Sequence, residues 1–379
     1  MQVRLADIGR IYQVRCGRHS AQVLSGVSTR PDVVITTDAT TWLALRQGTI
    51  SSVEAFYERR LTARGDLDRA IGFEGLFRLP NGRPPLVRLR DVRLPGRRTI
   101  NVLSLGEGPD VVLIHGLGAT KTSFFDTAAT LAADGYRVHA IDLPGFGSSS
   151  KPLGAPYNAG WFAGSVLALL DALDIDRAHV VGNSMGGRVA IELALRAPRR
   201  VGGLVLLAPA VAFVKRPWLQ LVRVLPPQLG VLPHAFTRDM VAGQLRALFA
   251  DPDAIDPATA DIAVDEFRRL YGSPHARAAF LTAARNIYLE RPFGAGGFYE
   301  RMATLSAPAL FVWGTHDPLI PAAFSHHVAE WLPNAEQIIL DECGHVPQIE
   351  RAAQTNGLVT RFLRRADLQV GGEVGRAAA

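Results

Sequence analysis

Beyond residue 110 or so, short apolar runs alternate with stretches of helical spacing. VVLIHG (111–116), YRVHAID (136–142), AHVVGNS (178–184), GGLVLLAP (202–209), PALFVWG (308–314) and AEQIILDE (335–342) read as strands. Between the second and third lies WFAGSVLALLDAL (161–173), with apolar residues at 162, 166, 167, 169, 170 and 173, the spacing of a helix. Another helix follows residue 184 and runs to about Ala197. This order is that of a parallel sheet with crossover helices. Residues 212–300 break the rhythm: they are helical in pattern, punctuated by proline and rich in aromatics, which predicts a helical insertion.

The first part of the chain follows a different pattern. DVVITT (32–37) predicts a strand, and DATTWLALRQG (38–48) a helix opened by an Asp cap and closed at a Gly. SSVEAFYERRL (51–61) predicts a second short helix, and LTARGD a turn leading into LDRAIGFEGLF. The expectation is a small α+β domain over 1–78 and a Pro/Gly-rich linker, LPNGRPPL, over 79–86. An α/β domain over 87–365 carries the insertion, and GGEVGRAAA belongs to a flexible tail over 366–379.

Composition removes several function classes. The 379 residues are 48% hydrophobic and 20% charged, a globular balance. The net charge of +6 and pI near 9.7 invite a nucleic-acid reading. Only Lys121, Lys151 and Lys215 are lysines, however, and the arginines are scattered without a basic stripe, so no nucleic-acid partner is expected. The N-terminus alternates polar and apolar residues and lacks the apolar core of a signal peptide. The longest apolar run, VGGLVLLAPAVAFV (201–214), is too short for a bilayer. Cys16 and Cys343 stand far apart and suggest neither a disulfide framework nor a metal site, which leaves a cytoplasmic protein as the expectation.

The chemistry gathers around GNSMGG. Ser184 follows a buried strand and opens a helix, a turn that strains the serine and aims its Oγ out of the sheet. Gly182 and Gly186 leave room where strand and helix cross. A serine needs a base, and the base an orienting acid. His345, in DECGHVPQIE, lies on the loop after the last strand; His115 is expected to support its own loop, and His326 and His327 sit on a polar helix. Asp317, in VWGTHDPLIP, follows the preceding strand, giving the chain order Ser, Asp, His. The alternative acid position after Leu207 holds Ala-Pro-Ala, Asp142 is expected to cap the turn DLPGFGSS, and Asp341 and Glu342 to end a strand. The oxyanion amides are then those of Met185 and of Leu117, the latter in an HGLG loop made tight by Gly116 and Gly118. The chemistry calls for no metal and no organic cofactor.

HGLGATKTSFF, DLPGFGSSSKP, GNSMGG, VWGTHDPLIP and CGHVPQIE together resemble the successive landmarks of the α/β-hydrolase fold family over residues 87–365. The resemblance implies a mostly parallel sheet and a helical lid at 212–300. The lid stretches KRPWLQLVRVL, HAFTRDMVAGQLRALF and ARAAFLTAARNIYLERPFGAGGFY are largely apolar, which suits acyl or aromatic substrates. GNSMGG is also similar to the elbow of hydrolases that cleave carbon–carbon bonds in ring-fission dienoic acids. Those relatives pair Asn183 with a lid arginine and carry Trp after the histidine; here Val346 stands there, and Arg238 and Arg285 are the nominal arginines. Dehalogenases and epoxide hydrolases of the family use an elbow aspartate, against which Ser184 argues. DVVITTDATTWLALRQGTISSVEAFYERRLTARGDLDRAI resembles the C-terminal half of a sterol-carrier-protein type lipid-binding domain, with its opening helix missing. The expectation is a serine hydrolase acting on apolar or lipid-like carboxylic esters. The alternatives are carbon–carbon hydrolysis and a lipid carrier with a vestigial hydrolase core.

Overall fold

The computed structural model describes residues 1–17, 20–76, 79, 84–211 and 236–377, with the side chains of 254, 288 and 369–377 left aside. Residues 212–235, which include the lid stretch KRPWLQLVRVL, and most of the expected linker lie outside the described residues.

The first sheet holds β1 (Gln2–Leu5), β2 (Arg10–Cys16), β3 (Ala21–Ser25), β4 (Val33–Thr37) and β5 (Leu61–Gly65), in the order β3-β2-β1-β4-β5. Three helices belong to it: α1 (Ala39–Gln47), α2 (Ser52–Tyr57) and α3 (Leu67–Ile71). In α1, Asp38 Oδ1 accepts from the Thr41 amide at 2.7 Å, and Gly48 closes the helix at φ 68°. A reciprocal Ser51–Glu54 capping box opens α2. LTARG, expected as a turn, is instead the edge strand β5, pairing antiparallel with β4. Leu61 and Ala63 point inward and Thr62 and Arg64 outward, a strand alternation too short to stand out beside its arginine and glycine. The polar–apolar alternation at the N-terminus becomes β1 to β3, with Val3 and Leu5 buried and Arg4 exposed.

The second sheet holds β6 (Arg88–Leu94), β7 (Arg98–Leu105), β8 (Asp110–Ile114), β9 (Arg137–Ile141), β10 (Ala178–Asn183), β11 (Val201–Leu207), β12 (Ala309–Gly314) and β13 (Glu336–Leu340). Their order is β13-β12-β11-β10-β8-β9-β7-β6, and β8 to β13 all run parallel. Among the described strands of this sheet, β7 alone runs against the rest, paired antiparallel with both neighbours. The helices are α4 (Phe125–Ala133), α5 (Ala159–Ala172), α6 (Met185–Arg196), α7 (Arg238–Arg246), α8 (Pro257–Tyr271), α9 (Pro274–Tyr288), α10 (Phe298–Met302), α11 (Phe324–Trp331), α12 (Pro347–Glu350) and α13 (Ala352–Ala377). Alternation along the strands sorts the core into two layers. Val112, Ile114, Val180 and Leu206 face α5 and α6, while Val111, Leu113, Val181 and Leu207 face α4 and α13. Residues 366–377, expected as a flexible tail, continue α13. Ala366 is buried, and Asp367 accepts from the Tyr136 hydroxyl at 2.8 Å.

The two domains share a core, reached by the helices of the first. Val53 and Ile71, fully buried, belong to the same apolar cluster as Phe124, Phe125 and Leu131, and Phe56 meets Phe125 edge-to-face at 6.1 Å. Burying two such aliphatic side chains contributes about 3–6 kcal/mol at the seam. Among the described residues, no helix is long and apolar enough to cross a membrane.

Candidate active site

The sharp turn between β10 and α6 is set by what cannot fit there. A β-carbon on Gly182 would lie 2.5 Å from the Gly186 carbonyl carbon, and one on Gly186 would lie 2.0 Å from the Ile114 oxygen. Strand and helix therefore cross only if both positions are glycine. Ser184 between them is held at φ 53° and ψ −115°, a conformation that costs on the order of 1–3 kcal/mol in a non-glycine residue. Its amide donates to Leu207 O at 2.9 Å, and its carbonyl accepts from the Ala210 amide at 2.9 Å. The strain is thus supported by the neighbouring strand end.

His345 and Asp317 lie side by side. His345 Nδ1 lies 2.8 Å from Asp317 Oδ2, and Asp317 Oδ1 accepts from the amides of Leu319 and Ile320, both at 2.8 Å. The carboxylate is fully used and buried, which keeps the imidazole in one orientation with Nε2 free of it. Asn183 joins this pair to the elbow: its Nδ2 donates to His345 O and to Leu207 O, each at 3.1 Å.

Leu117 and Met185 line a common pocket with Ser184. Met185 is the first residue of α6, so its amide is one that the helix leaves unused. Gly116 passes so close to the elbow that a β-carbon there would sit 3.3 Å from Ser184 Cβ. Gly118 has φ 82° and lies under the rings of Phe267 and Phe280. His115 supports this loop, as expected. It is buried, its Nδ1 bonds Gly116 O at 2.7 Å, and its Nε2 accepts from the Leu143 amide at 3.0 Å. Burial pushes its pKa down, so the ring is neutral. The remaining pocket side chains, Ala210, Ile287, Leu319 and Ile320, are apolar.

Three features escaped the sequence reading. The first is a clip on the histidine loop. Glu350 on α12 accepts from the Gly344 amide at 2.6 Å and, with its other oxygen, from the Ala250 amide at 2.6 Å, while the His345 amide donates to Leu248 O at 2.7 Å. The segment after α7 therefore touches the histidine loop directly. The second concerns Asp142, which does more than cap its turn: it accepts from the Lys121 amide and Nζ and from the Ser148 amide, each at 2.8 Å. The third is a hydrogen-bonded Ser-His-Asp chain on β7, β9 and β8, away from the elbow. Ser104 Oγ lies 2.9 Å from His139 Nδ1, and His139 Nε2 lies 2.8 Å from Asp110 Oδ1. Asp110 also binds Arg137 through both oxygens, at 2.6 and 2.7 Å. Ser104 stands within strand β7, with neither the strained turn nor a helix N-terminus behind it. Residue types alone do not make a nucleophile.

On the lid side, buried Arg188 of α6 holds Glu192 and Glu290, and its guanidinium lies 4.3 Å over the Phe298 ring. Burial alone would raise the Glu192 pKa; Arg301 and Arg188 outweigh it and hold it at about 2.

Sheet order, elbow and lid together make this chain a member of the alpha/beta hydrolase fold family, whose pattern matches residues 109–352. The SCP-2 sterol transfer family matches residues 1–78. Similar proteins include the 2-hydroxymuconate semialdehyde hydrolase of Pseudomonas sp. (strain CF600), 32% identical over 73% of this chain and 94% of that protein. The pimeloyl-(acyl-carrier protein) methyl ester esterase of Aeromonas salmonicida (strain A449) is 31% identical over 70% of this chain and 99% of that one. Among solved structures, a membrane phospholipase A has a TM-score of 0.62 at 28% identity, over 74% of this chain and 87% of its own.

Proposed function

We propose that this protein is a serine hydrolase that cleaves carboxylic esters with apolar, lipid-like groups, with Ser184 as nucleophile. The observation that carries the reading is a strained serine opening into a pocket whose other lining side chains are all apolar, with a bonded His345–Asp317 pair tied to the neighbouring Asn183. His345 Nε2 takes the Ser184 proton as Oγ attacks the ester carbonyl, and the amides of Leu117 and Met185 receive the oxyanion. Asp317 keeps the imidazole oriented and balances its transient charge. The alcohol departs with the proton from His345, and water releases the acyl group by the same route. A neutral ester suits this site better than an anionic dienoate. Both Nδ2 protons of Asn183 are spent on backbone carbonyls, and Arg238, one of the two nominal lid arginines beside Arg285, is engaged at the surface with Asp261 and Asp265. The relatives include both a methyl ester esterase and a 2-hydroxymuconate semialdehyde hydrolase, so the choice rests on the pocket. The match to a sterol transfer family supports a lipid-holding role for residues 1–78.

The test is kcat/KM on p-nitrophenyl esters from acetate to palmitate, with Ser184→Ala beside the wild type. Activity that peaks at one chain length and vanishes in the variant is expected. Turnover surviving in Ser184→Ala would refute the nucleophile. Turnover of coloured dienoates with inert esters would move the assignment to carbon–carbon hydrolysis.

A further inference from the structure

The oxyanion loop is held at its far end by a residue of the other domain. Lys121, four residues beyond Leu117, is 1% exposed, and opens a short 3-10 turn (Lys121–Phe124) capped by Thr120. Its ammonium has two carboxylates, Asp142 at 2.8 Å and Asp68 at 2.6 Å. Asp142 lies in the same domain as Lys121, at the end of β9. Asp68 lies on α3 and reaches across the seam, where it also accepts from the Ser148 hydroxyl. A buried ammonium is stable only among well-placed anions, so the site of the Lys121 charge is fixed jointly by the two domains. Burial works against that charge, but the two carboxylates outweigh it and raise the Lys121 pKa.

The same domain also reaches the loop from above. Ile262 of α8 packs against the core of the first sheet, and Arg269 of α8 pairs with Asp66 at 3.8 Å. Between these two positions stands Phe267, one of the rings that cover Gly118. The loop bearing the Leu117 amide is therefore bounded by His115 in front, by the α8 and α9 rings above, and by Lys121 behind.

From this arrangement we infer that Asp68 is a positioning residue of the hydrolase: through Lys121 it sets where the Leu117 amide points, making residues 1–78 part of the catalytic apparatus. This rests on the assignment of Ser184 as nucleophile and Leu117 as oxyanion donor. Asp68 touches no reacting atom. Its removal displaces a donor without deleting it, so the effect falls below the 10²–10³-fold loss of an oxyanion contact, at about tenfold.

The experiment measures the second-order rate of fluorophosphonate labelling at Ser184 on the full chain, with labelled fraction and melting temperature recorded together. The label needs the nucleophile and the oxyanion amides but no particular substrate, so it does not depend on which ester is natural. Asp68→Asn is expected to slow labelling about tenfold per site at full stoichiometry, and to lower kcat on the best ester with KM unchanged. Ser148→Ala, which frees one oxygen of Asp68 and leaves Lys121–Asp142 intact, is expected to act in the same direction with a smaller effect. Asp32→Asn, an exposed carboxylate of the same domain, serves as the control and is expected to label at the wild-type rate. A purely structural role would reduce the labelled fraction without changing the per-site rate, and that outcome overturns the inference. Wild-type labelling rates in both Asp68→Asn and Ser148→Ala would also overturn it, while leaving Ser184 as nucleophile. No labelling of the wild type would remove the nucleophile, and this inference with it.

Discussion

Asp126 is a half-buried carboxylate on α4 at the seam between the two sheets, between Thr130 of its own helix and Tyr57 of α2. Its Oδ2 is out of reach of solvent and has no hydrogen-bond partner. Burial raises its pKa from 3.8 to about 6, with Thr130, Tyr57 and Asn356 compensating only in part. The sign follows from proton binding. Between pH 4 and 6 the unfolded chain has lost this proton while the folded chain keeps it, so stability falls as pH rises through that window and levels off above pH 6. Some two pH units at about 1.4 kcal/mol each set an upper limit of about 3 kcal/mol, and solvent on the flank of the side chain brings the expected cost to about 1–3 kcal/mol. Asp126→Asn keeps the shape and the acceptor for Thr130 but has nothing to ionise. In urea unfolding at pH 8, the variant is expected to exceed the wild type by that amount, and the gap should close as pH approaches 4. A gap of the same size at pH 4.5 and pH 8, or a less stable variant at pH 8, would refute the reasoning.

Two other perturbations separate neighbouring explanations. Glu350→Gln leaves one oxygen where two serve the Gly344 and Ala250 amides, so kcat/KM is expected to fall about tenfold as the His345 loop loosens; unchanged kinetics would show that the clip does not matter. Ser104→Ala breaks the Ser104–His139–Asp110 chain, and the expected result is wild-type labelling and ester turnover within twofold, with residual labelling of Ser184→Ala being the result that contradicts it.

The parts readable from sequence were those in which chemistry and geometry share a few consecutive residues. GNSMGG carries strand end, turn and helix start within six positions, and THD and CGH begin one and three positions after the ends of β12 and β13. Spacing therefore implied placement. Lys121 and Asp68 stand 53 positions apart in different domains, each inside a stretch whose resemblance says nothing of the other; only packing of α3 beside the turn after β9 brings them together. Glu350 was hidden for a related reason, since one of its partner amides, that of Ala250, lies 100 residues earlier in the lid. The strand β5 was lost to its length, because five residues with an arginine and a glycine do not distinguish a strand from a turn.

The shared core also bears on how the protein is made. Val53, Phe56 and Ile71 leave the ribosome well before the α4 residues Phe125 and Leu131 that cover them. At typical rates of synthesis the interval is about 3–12 s, during which the helices of the nascent N-terminal domain present an uncovered apolar face. A pulse-chase experiment in a strain short of nascent-chain chaperones should therefore find aggregation arising from chains stalled between residues 76 and 125, and little from chains that have passed α4.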